Sequence, residues 1–593
     1  MKNVKKLFDL LSSTEKKEFF ILLFLVLVMA FFEMLGVVSI MPFMTLLSNP
    51  QLVETNTFFY RLYQKFSIFG VSNNLQFLFV LGIATFVLLM ISLIVRGLTS
   101  YVQINFVTMR EYSISRKVFK KYLQQPYIWF LSRHSADLGK NILSEVNLVV
   151  KGTIGPLMTI ISQSTVVIML IILLIINDPA LALGAGLILI LGFFLIFYVM
   201  KNLLYRIGTK RVEANTVRFK VVSEVFSGIK EVKVAGLENL YVNFFSKPAK
   251  NYAINQSFAQ VISQLPRYFI EGFAFGGMII LSLVLIDRDN GFTNIIPTLV
   301  LYAFASYRLI PALQQIYSAK TQLRFSQPAF DALHKDLVTL KSYEQLPTVN
   351  SLMRLNNSIT IQNVTFSYPG SKEASLKNIN ISIKAFTKVG VVGATGSGKT
   401  TIVDIILGLL EPAIGTLSVD GNFIDHSNKR SWQKNIGFVP QNIYLSDSTV
   451  ASNIAFGVDD KIIDLALIER VAKIANIHKF IVDELAQGYN TIIGECGIRL
   501  SGGQKQRIGI ARALYNNPKV LILDEATSAL DNLTEKSVMK AIDNMGDKMT
   551  VIIIAHRLST IKNCDNIFLL EKGRVISQGT YDQLLTSNNF FKN

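Results

Sequence analysis

The chain has 593 residues, more than one hydrophobic core fills, so several domains are expected. Half of the residues are apolar, 17% are charged and the mean hydropathy is +0.40, which excludes a wholly water-soluble protein and places part of the chain in lipid. The formal charge of +18 does not signal a nucleic-acid partner, because lysines and arginines collect in loops beside the apolar stretches, where they set membrane orientation.

Residues 1–18 form a Lys-rich amphipathic stretch that leads straight into a span too long for a signal-peptide core, so no cleaved leader is expected. Six apolar segments have the roughly 20 residues a bilayer crossing takes: about 19–41, 75–94, 154–176, 180–200, 268–286 and 295–311. The third and fourth are joined only by Asn177-Asp178-Pro179, which predicts a tight hairpin. The long segments after the second and fourth spans are basic, with Arg110, Arg116, Lys117, Lys120, Lys121 and Arg133 in one and Arg206, Lys210, Arg211, Arg218, Lys220, Lys230 and Lys233 in the other. The opposite loops carry little positive charge, so the N-terminus, both long segments and everything after the sixth span are expected in the cytosol of a cell bounded by an inner membrane. Their helical periodicity predicts helices that continue past the lipid and turn near 127–139 and 226–237 in short helices docking on a soluble domain.

Between the first two spans Phe58, Phe59, Leu62, Tyr63, Phe66 and Phe69 recur at helical spacing among polar residues, the pattern of an interfacial amphipathic helix on the outer face. Domain boundaries follow: a six-helix membrane domain over 1–343, a linker over 344–357 and a soluble domain of mixed strands and helices over 358–593. Cys496 and Cys564 lie far apart in the last, without metal-ligand spacing, and read as reduced thiols.

The run Gly393-Ala394-Thr395-Gly396-Ser397-Gly398-Lys399-Thr400 follows the strand-like Val389-Gly390-Val391-Val392 and opens a helix-like run from Thr401. Its glycines permit a tight turn that aims successive N–H groups at phosphate oxygens. Lys399 reaches the β/γ-phosphates and Thr400 can hold Mg²⁺. The apolar strand Val520-Leu521-Ile522-Leu523 delivers Asp524-Glu525 to its end, where Asp524 completes a Mg²⁺ shell and Glu525 polarises the attacking water. Leu500-Ser501-Gly502-Gly503-Gln504 precedes a helix rich in basic residues, a further backbone approach to a γ-phosphate.

These three motifs in this order resemble the ATP-binding cassette (ABC) ATPases, over residues 368–556. The resemblance implies ATP and Mg²⁺ as cofactors, Tyr368 stacking on adenine, and the loop from Gly393 through Thr401 around the phosphates. It implies Gln441 in the loop that joins Mg²⁺ and water to the membrane domain, His556 at the γ-phosphate, and Asp531, after Ser528-Ala529-Leu530, at a dimer seam. The Ser501–Gln504 loop would serve ATP held by a second copy, so a homodimer is expected, with a heterodimer as the other arrangement. One departure stands out: Lys384-Ala385-Phe386-Thr387 replaces the Lys-Gly-Glu often found before the phosphate-loop strand.

Arg96, Arg267 and Arg308 fall near the inner ends of the second, fifth and sixth spans, and Glu33 and Glu271 also lie in apolar sequence. Such charges face a cavity or a partner. Arg267 and Glu271 are spaced to pair on one helix, and Arg96 and Arg308 could extend to the headgroups; alternatively all three arginines line a passage for an anionic group. Glu33 with Met41-Pro42-Phe43, Pro266-Arg267-Tyr268-Phe269-Ile270-Glu271-Gly272, Tyr307-Arg308-Leu309-Ile310-Pro311 and Gly228-Ile229-Lys230-Glu231 resemble the PglK-type flippases of lipid-linked oligosaccharides. That resemblance implies a polyprenyl-pyrophosphate oligosaccharide, or a similar anionic glycolipid, as cargo. The expected fold is a six-span α-helical exporter domain followed by an α/β phosphate-loop ATPase. The alternatives are an exporter of lipid, drug or peptide, or a nucleotide-dependent membrane regulator or channel.

Overall fold

The computed structural model describes residues 12–67, 71, 73–177, 179–288, 292–340, 353–526, 531–543, 549–555 and 558–587. The chain divides into two compact units, residues 1–124 with 133–342, and residues 125–132 with 343–593.

The first unit is helical. Its labelled helices are α1 (Ser13–Val38), α2 (Ile40–Ser48), α3 (Thr57–Ser67) and α4 (Asn74–Leu123). After the excursion of 125–132, the unit continues through a helical run from Ser135 that contains two π-type segments, Asn141–Glu145 and Val150–Ile154. It proceeds through α5 (Gly155–Asn177), α6 (Pro179–Ser227), α7 (Ile229–Val234), α8 (Glu238–Arg288) and α9 (Phe292–Thr339).

Local chemistry explains the first start: the Ser12 Oγ accepts from Glu15 N–H while Ser12 N–H donates to Glu15 Oε2, a reciprocal cap. Among the described residues, three helical stretches are long and apolar enough to cross a membrane: Ser13–Ser48, Asn74–Leu123 and Ser135–Ile176. The other sequence-predicted spans fall on α6, α8 and α9. Many of their side chains, including most of 180–196 and 280–298, lie outside the described residues.

Helix α4 shows why lipid is its solvent. Leu75, Phe79, Ile83, Phe86 and Ile94 are largely exposed at helical spacing, while Phe77, Leu81, Thr85 and Ser92 are buried against neighbouring helices. A Cβ on Gly36 would meet Leu89 and Ser92, the small-residue contact that lets membrane helices approach. Helix α3 confirms the amphipathic reading between the first two spans: Phe59 is buried with Leu46, Val53 and Phe77, whereas Phe58 and Tyr60 stay exposed.

In the second unit an antiparallel sheet comprises β1 (Ser358–Phe366), β2 (Leu376–Lys384), β4 (Ile414–Val419) and β5 (Asn422–Phe423), in the order β2-β1-β4-β5. A second sheet comprises β3 (Lys388–Gly393), β6 (Ile436–Val439), β7 (Val520–Asp524), β8 (Thr550–Ile554), β9 (Asn566–Glu571) and β10 (Arg574–Gly579), in the order β10-β9-β3-β8-β7-β6. Its first five strands in space after β10 run parallel, and only β10 pairs antiparallel. β7 and β8 are buried at every position, as expected of parallel strands covered on both faces. Most of the linker expected over 344–357 lies outside the described residues. Within this unit, the short helix Tyr127–Leu131 places Ile128 against the core built around Trp432, Phe568 and the Ile402–Ile406 turn.

Candidate functional site

In a parallel sheet, chemistry gathers at the carboxyl ends of the strands. β3 ends at Gly393, which opens the phosphate loop, and β7, one strand away across β8, ends at Asp524. Gly393 has φ +154°, and a Cβ there would collide with the Leu570 carbonyl, so no other residue fits at that point of the turn. Gly398, at φ +104°, caps the following helix Lys399–Ile406 and would meet Leu376 at 2.7 Å.

Lys399 is almost fully buried, and its Nζ donates to the carbonyls of Gly393 at 2.8 Å and Ala394 at 3.0 Å. Burial lowers its pKa, while Glu525 and Asp524 nearby act the other way. The ammonium is thus held by the loop's own carbonyls, within the influence of Asp524 at the end of β7 and of Glu525 just after it. Ala394, Thr395, Gly396 and Thr400 are exposed around it, Thr401 is buried, and the buried Ser397 Oγ has no hydrogen-bond partner among the described residues. A loop of turned glycines, a lysine and an orphaned hydroxyl fit a triphosphate. Asp524, Thr400 and Gln441 are oxygen-bearing groups of the kind Mg²⁺ takes.

Glu525 adopts φ +51°, an uncommon conformation for a glutamate, and its N–H donates to Ile554 O. Its Oε2 accepts from Gln441 Nε2 at 2.8 Å. Tyr368 is half-buried, with its ring edge-on to Phe366 at 5.1 Å and its hydroxyl 3.2 Å from Thr401 Oγ1. The Ser501 loop begins the helix Gly502–Tyr515 with a reciprocal cap: Ser501 Oγ accepts from Gln504 N–H and Gln504 Oε1 from Ser501 N–H. Gly502 and Gly503 form the first turn of that helix. Asp531 is exposed and caps the helix Asn532–Asp543 by accepting from Thr534 N–H at 3.0 Å; the Thr534 side chain first, and that N–H after it, hold its carboxyl below the ordinary value. His556 and Ser528-Ala529-Leu530 lie outside the described residues.

Sequence reasoning passed over Asp404. It sits on the helix behind the phosphate loop, and its carboxyl is pushed up to about 6, by burial first and then by Asp524. Tyr127 lies near both Asp404 and Tyr368, and burial raises its phenol. Burial likewise pushes the Cys564 thiol up to about 12, so it stays protonated, whereas Cys496 is exposed; both are free.

Residues 376–528 match the family model "ABC transporter" and residues 18–309 match "ABC transporter transmembrane region". The chain is 30% identical to the ATP-dependent lipid A-core flippase of Ralstonia nicotianae, over 81% of this chain and 80% of that one. The chain belongs to the ABC transporters. The flippase of the same name from Cupriavidus pinatubonensis is 31% identical over 80% of each chain. A bacterial Atm1-family ABC exporter with ATP bound shares the fold at a TM-score of 0.77, with 23% identity and coverage of 94% of this chain and 97% of that one. As an ABC transporter, the chain is a multi-pass membrane protein that hydrolyses ATP and uses Mg²⁺.

In the membrane unit of this ABC transporter the three arginines meet carboxylates. Arg96 from α4 and Arg308 from α9 both reach Glu33 on α1, at 3.4 and 3.8 Å from its Oε1. Glu33 is buried among Met29, Ala30, Val37, Tyr302 and Ala305. Arg267 does not join them: its Nε donates to Glu271 Oε1 at 2.7 Å on the same helix. Two further arginines that the sequence displayed only as loop charges are buried in ion pairs, Arg110 with Glu15 and Glu18, and Arg211 with Glu145.

Proposed function

We propose that this ABC transporter works as a homodimeric exporter in the inner membrane, with its N-terminus and ATPase unit in the cytosol. It flips a phosphate-linked glycolipid, of the polyprenyl-pyrophosphate oligosaccharide kind, from the cytosolic to the outer leaflet. The observation that carries the substrate reading is the Glu33–Arg96–Arg308 cluster: two guanidiniums share one carboxylate, leaving an excess positive charge among apolar helices. A charge there costs at least ~2.5–3.5 kcal/mol, and a phosphate group supplies the missing anion with oxygens that suit a planar guanidinium. The curated relatives named lipid A-core flippases support an anionic glycolipid, and a lipid of that type is the second reading.

In the ATPase unit, Lys399 and the loop residues Gly393–Thr401 hold the phosphates, with Tyr368 against the base. Thr400, Gln441 and Asp524 would hold Mg²⁺, which would neutralise the phosphate charge. Glu525 accepts the proton of the attacking water, and Gln441 keeps that carboxylate turned toward it. His556, Asp531 and the Ser501–Gln504 loop complete the site, the last serving nucleotide on the second copy. Closure of paired cassettes on ATP and reopening after hydrolysis drive alternating access.

Proteoliposomes containing the purified chain and a fluorescent polyprenyl-pyrophosphate glycan test this reading. ATP-dependent flipping is expected, lost in Arg96→Ala and Arg308→Ala while basal ATPase persists. Flipping of lipid A but not of the prenyl glycan would select the second reading, and unchanged flipping in both variants would remove the arginine argument.

A further inference from the structure

A second cationic site lies on the same unit, away from Glu33. A cavity of about 200 Å³ is lined by Thr153, Phe197, Lys320, Arg324, Gln327 and Phe330, with leucines closing its walls. Lys320 and Arg324 follow Arg308 on α9 by 12 and 16 residues, about 18 and 24 Å along the helix axis toward the ATPase end of the chain.

Neither cation has a carboxylate partner among the described residues. Lys320 Nζ stands 5.7 Å from the centre of the Phe197 ring. Arg324 donates through Nε to Lys201 O at 3.0 Å and through Nη1 to Gln327 Oε1, and lies over the Tyr205 ring at 4.9 Å. Lys201 is also held over an aromatic ring, that of Tyr198. Like charges four residues apart on a helix repel, so the arrangement lacks an anion.

Thr153 supplies an independent observation. Several helical threonines of this unit return their hydroxyls to the carbonyl four residues back, as Thr99, Thr159, Thr165 and Thr216 do, although Thr85 bonds to Ser39 O and the buried Thr321 has no hydrogen-bond partner among the described residues. Thr153 is 4% exposed and its Oγ1 has no hydrogen-bond partner among the described residues. It sits in the π-type segment Val150–Ile154, and such segments often mark functional positions. A buried hydroxyl left unmatched is costly unless a ligand meets it.

We infer that the cavity between Thr153, Lys320 and Arg324 is a binding site for a phosphate ester. Arg324 engages the phosphate oxygens from one side, Lys320 neutralises the charge, Thr153 donates its hydroxyl, and Phe197 and Phe330 cover the neighbouring carbon. The volume falls below the ~300–1,000 Å³ of sites that enclose a drug-sized ligand, so it takes a headgroup rather than a whole lipid. The same chemistry is offered by a lipid headgroup and by a soluble phosphate ester. The inference does not depend on the Glu33 cluster or on the glycolipid reading.

Titration calorimetry on the detergent-purified full chain tests it with two probes, dioctanoyl phosphatidic acid and glycerol 3-phosphate, against uncharged dioctanoylglycerol. At least one phosphate probe is expected to bind. Lys320→Gln combined with Arg324→Gln should weaken it tenfold or more, Thr153→Val about threefold, and Arg324→Lys should fall between parent and double variant. The melting temperature of Lys320→Gln should match the parent's, which shows that the exposed substitution leaves the fold intact. Binding of phosphatidic acid alone assigns a lipid headgroup, and equal dependence on these residues for glycerol 3-phosphate assigns a soluble ester. No binding of either probe to the parent, equal affinity in the double variant, or a loss confined to Arg308→Gln would overturn the site.

Discussion

Gln441 Nε2 donates to Glu525 Oε2 at 2.8 Å, joining the residue two past β6 to the residue that follows β7. The bond turns a carboxylate with a left-handed backbone toward the phosphate loop, where Lys399 feels its charge. Two strands adjacent in the sheet thus set the position of the proposed proton acceptor.

Glu525→Gln keeps the shape of the side chain and removes the base. A positioned general base contributes about 10²–10⁴-fold, so ATP turnover should fall at least 100-fold while nucleotide binding persists. Phosphate-release kinetics beside a nucleotide-binding titration check this. A variant as fast as the parent would mean the base lies elsewhere.

Gln441→Ala frees the Glu525 carboxylate without removing it. The expected loss is about tenfold in kcat, equivalent to ~1.4 kcal/mol, with little change in ATP affinity. Addition of the same substitution to Glu525→Gln should cause little further loss, since the bond serves that carboxylate.

Gly393→Ala forces a Cβ into the Leu570 carbonyl at a backbone angle only glycine adopts freely. The strain should cost about 1–3 kcal/mol and lower the melting temperature of the ATPase unit, with ATP binding lost. Gly370→Ala, where a Cβ would meet nothing, is the control for positive φ alone.

Asp404 predicts a pH dependence. Its folded pKa, pushed up to about 6 from an ordinary 3.8, means that the folded chain holds this proton more tightly than the unfolded chain. Stability is therefore lost as pH rises from about 4 to 6 and stays lower above that. Asp404→Asn should raise the melting temperature at pH 7.5 by about 2–4 °C, the shift that ~1 kcal/mol gives a domain of this size once water screening of a part-exposed group is allowed for. The gain should vanish at pH 4, as differential scanning calorimetry at both pH values would show.

Glu33→Gln removes the carboxylate that Arg96 and Arg308 share, and breaking a buried pair costs about 3–5 kcal/mol. Glu271→Gln breaks a single pair within one helix and deprives one guanidinium of its carboxylate where Glu33→Gln deprives two, so it should cost less. Parallel thermal melts of the two variants in nanodiscs would separate these outcomes.

Much of the ATP site was legible because its parts are contiguous. Gly393 through Thr400 form one turn, Ser501 and Gln504 cap their own helix, and Asp524-Glu525 end an apolar strand, so each piece is encoded in a few neighbouring residues. The amphipathic helix Thr57–Ser67 was legible for the same reason, its aromatics recurring at the helical period. Asp404 was not, because its shifted carboxyl depends on burial and on Asp524 from another strand.

By itself, then, the sequence determined which segments are helices, strands and phosphate-binding turns, since these follow from spacing and backbone chemistry over short stretches. Tertiary structure alone decided the charge pairings between helices, whereas the Arg267–Glu271 pair, four residues apart on one helix, was legible in the sequence. Arg96, Arg267 and Arg308 look alike in sequence, yet helix packing brings two of them onto Glu33 and leaves the third with Glu271 on its own helix. Thr153 reads as an ordinary helical threonine until the structure places it in a π-type segment, on the wall of a cavity that Lys320 and Arg324 also line. Which ions meet across helices depends on register and rotation between distant segments, and no local pattern carries that information.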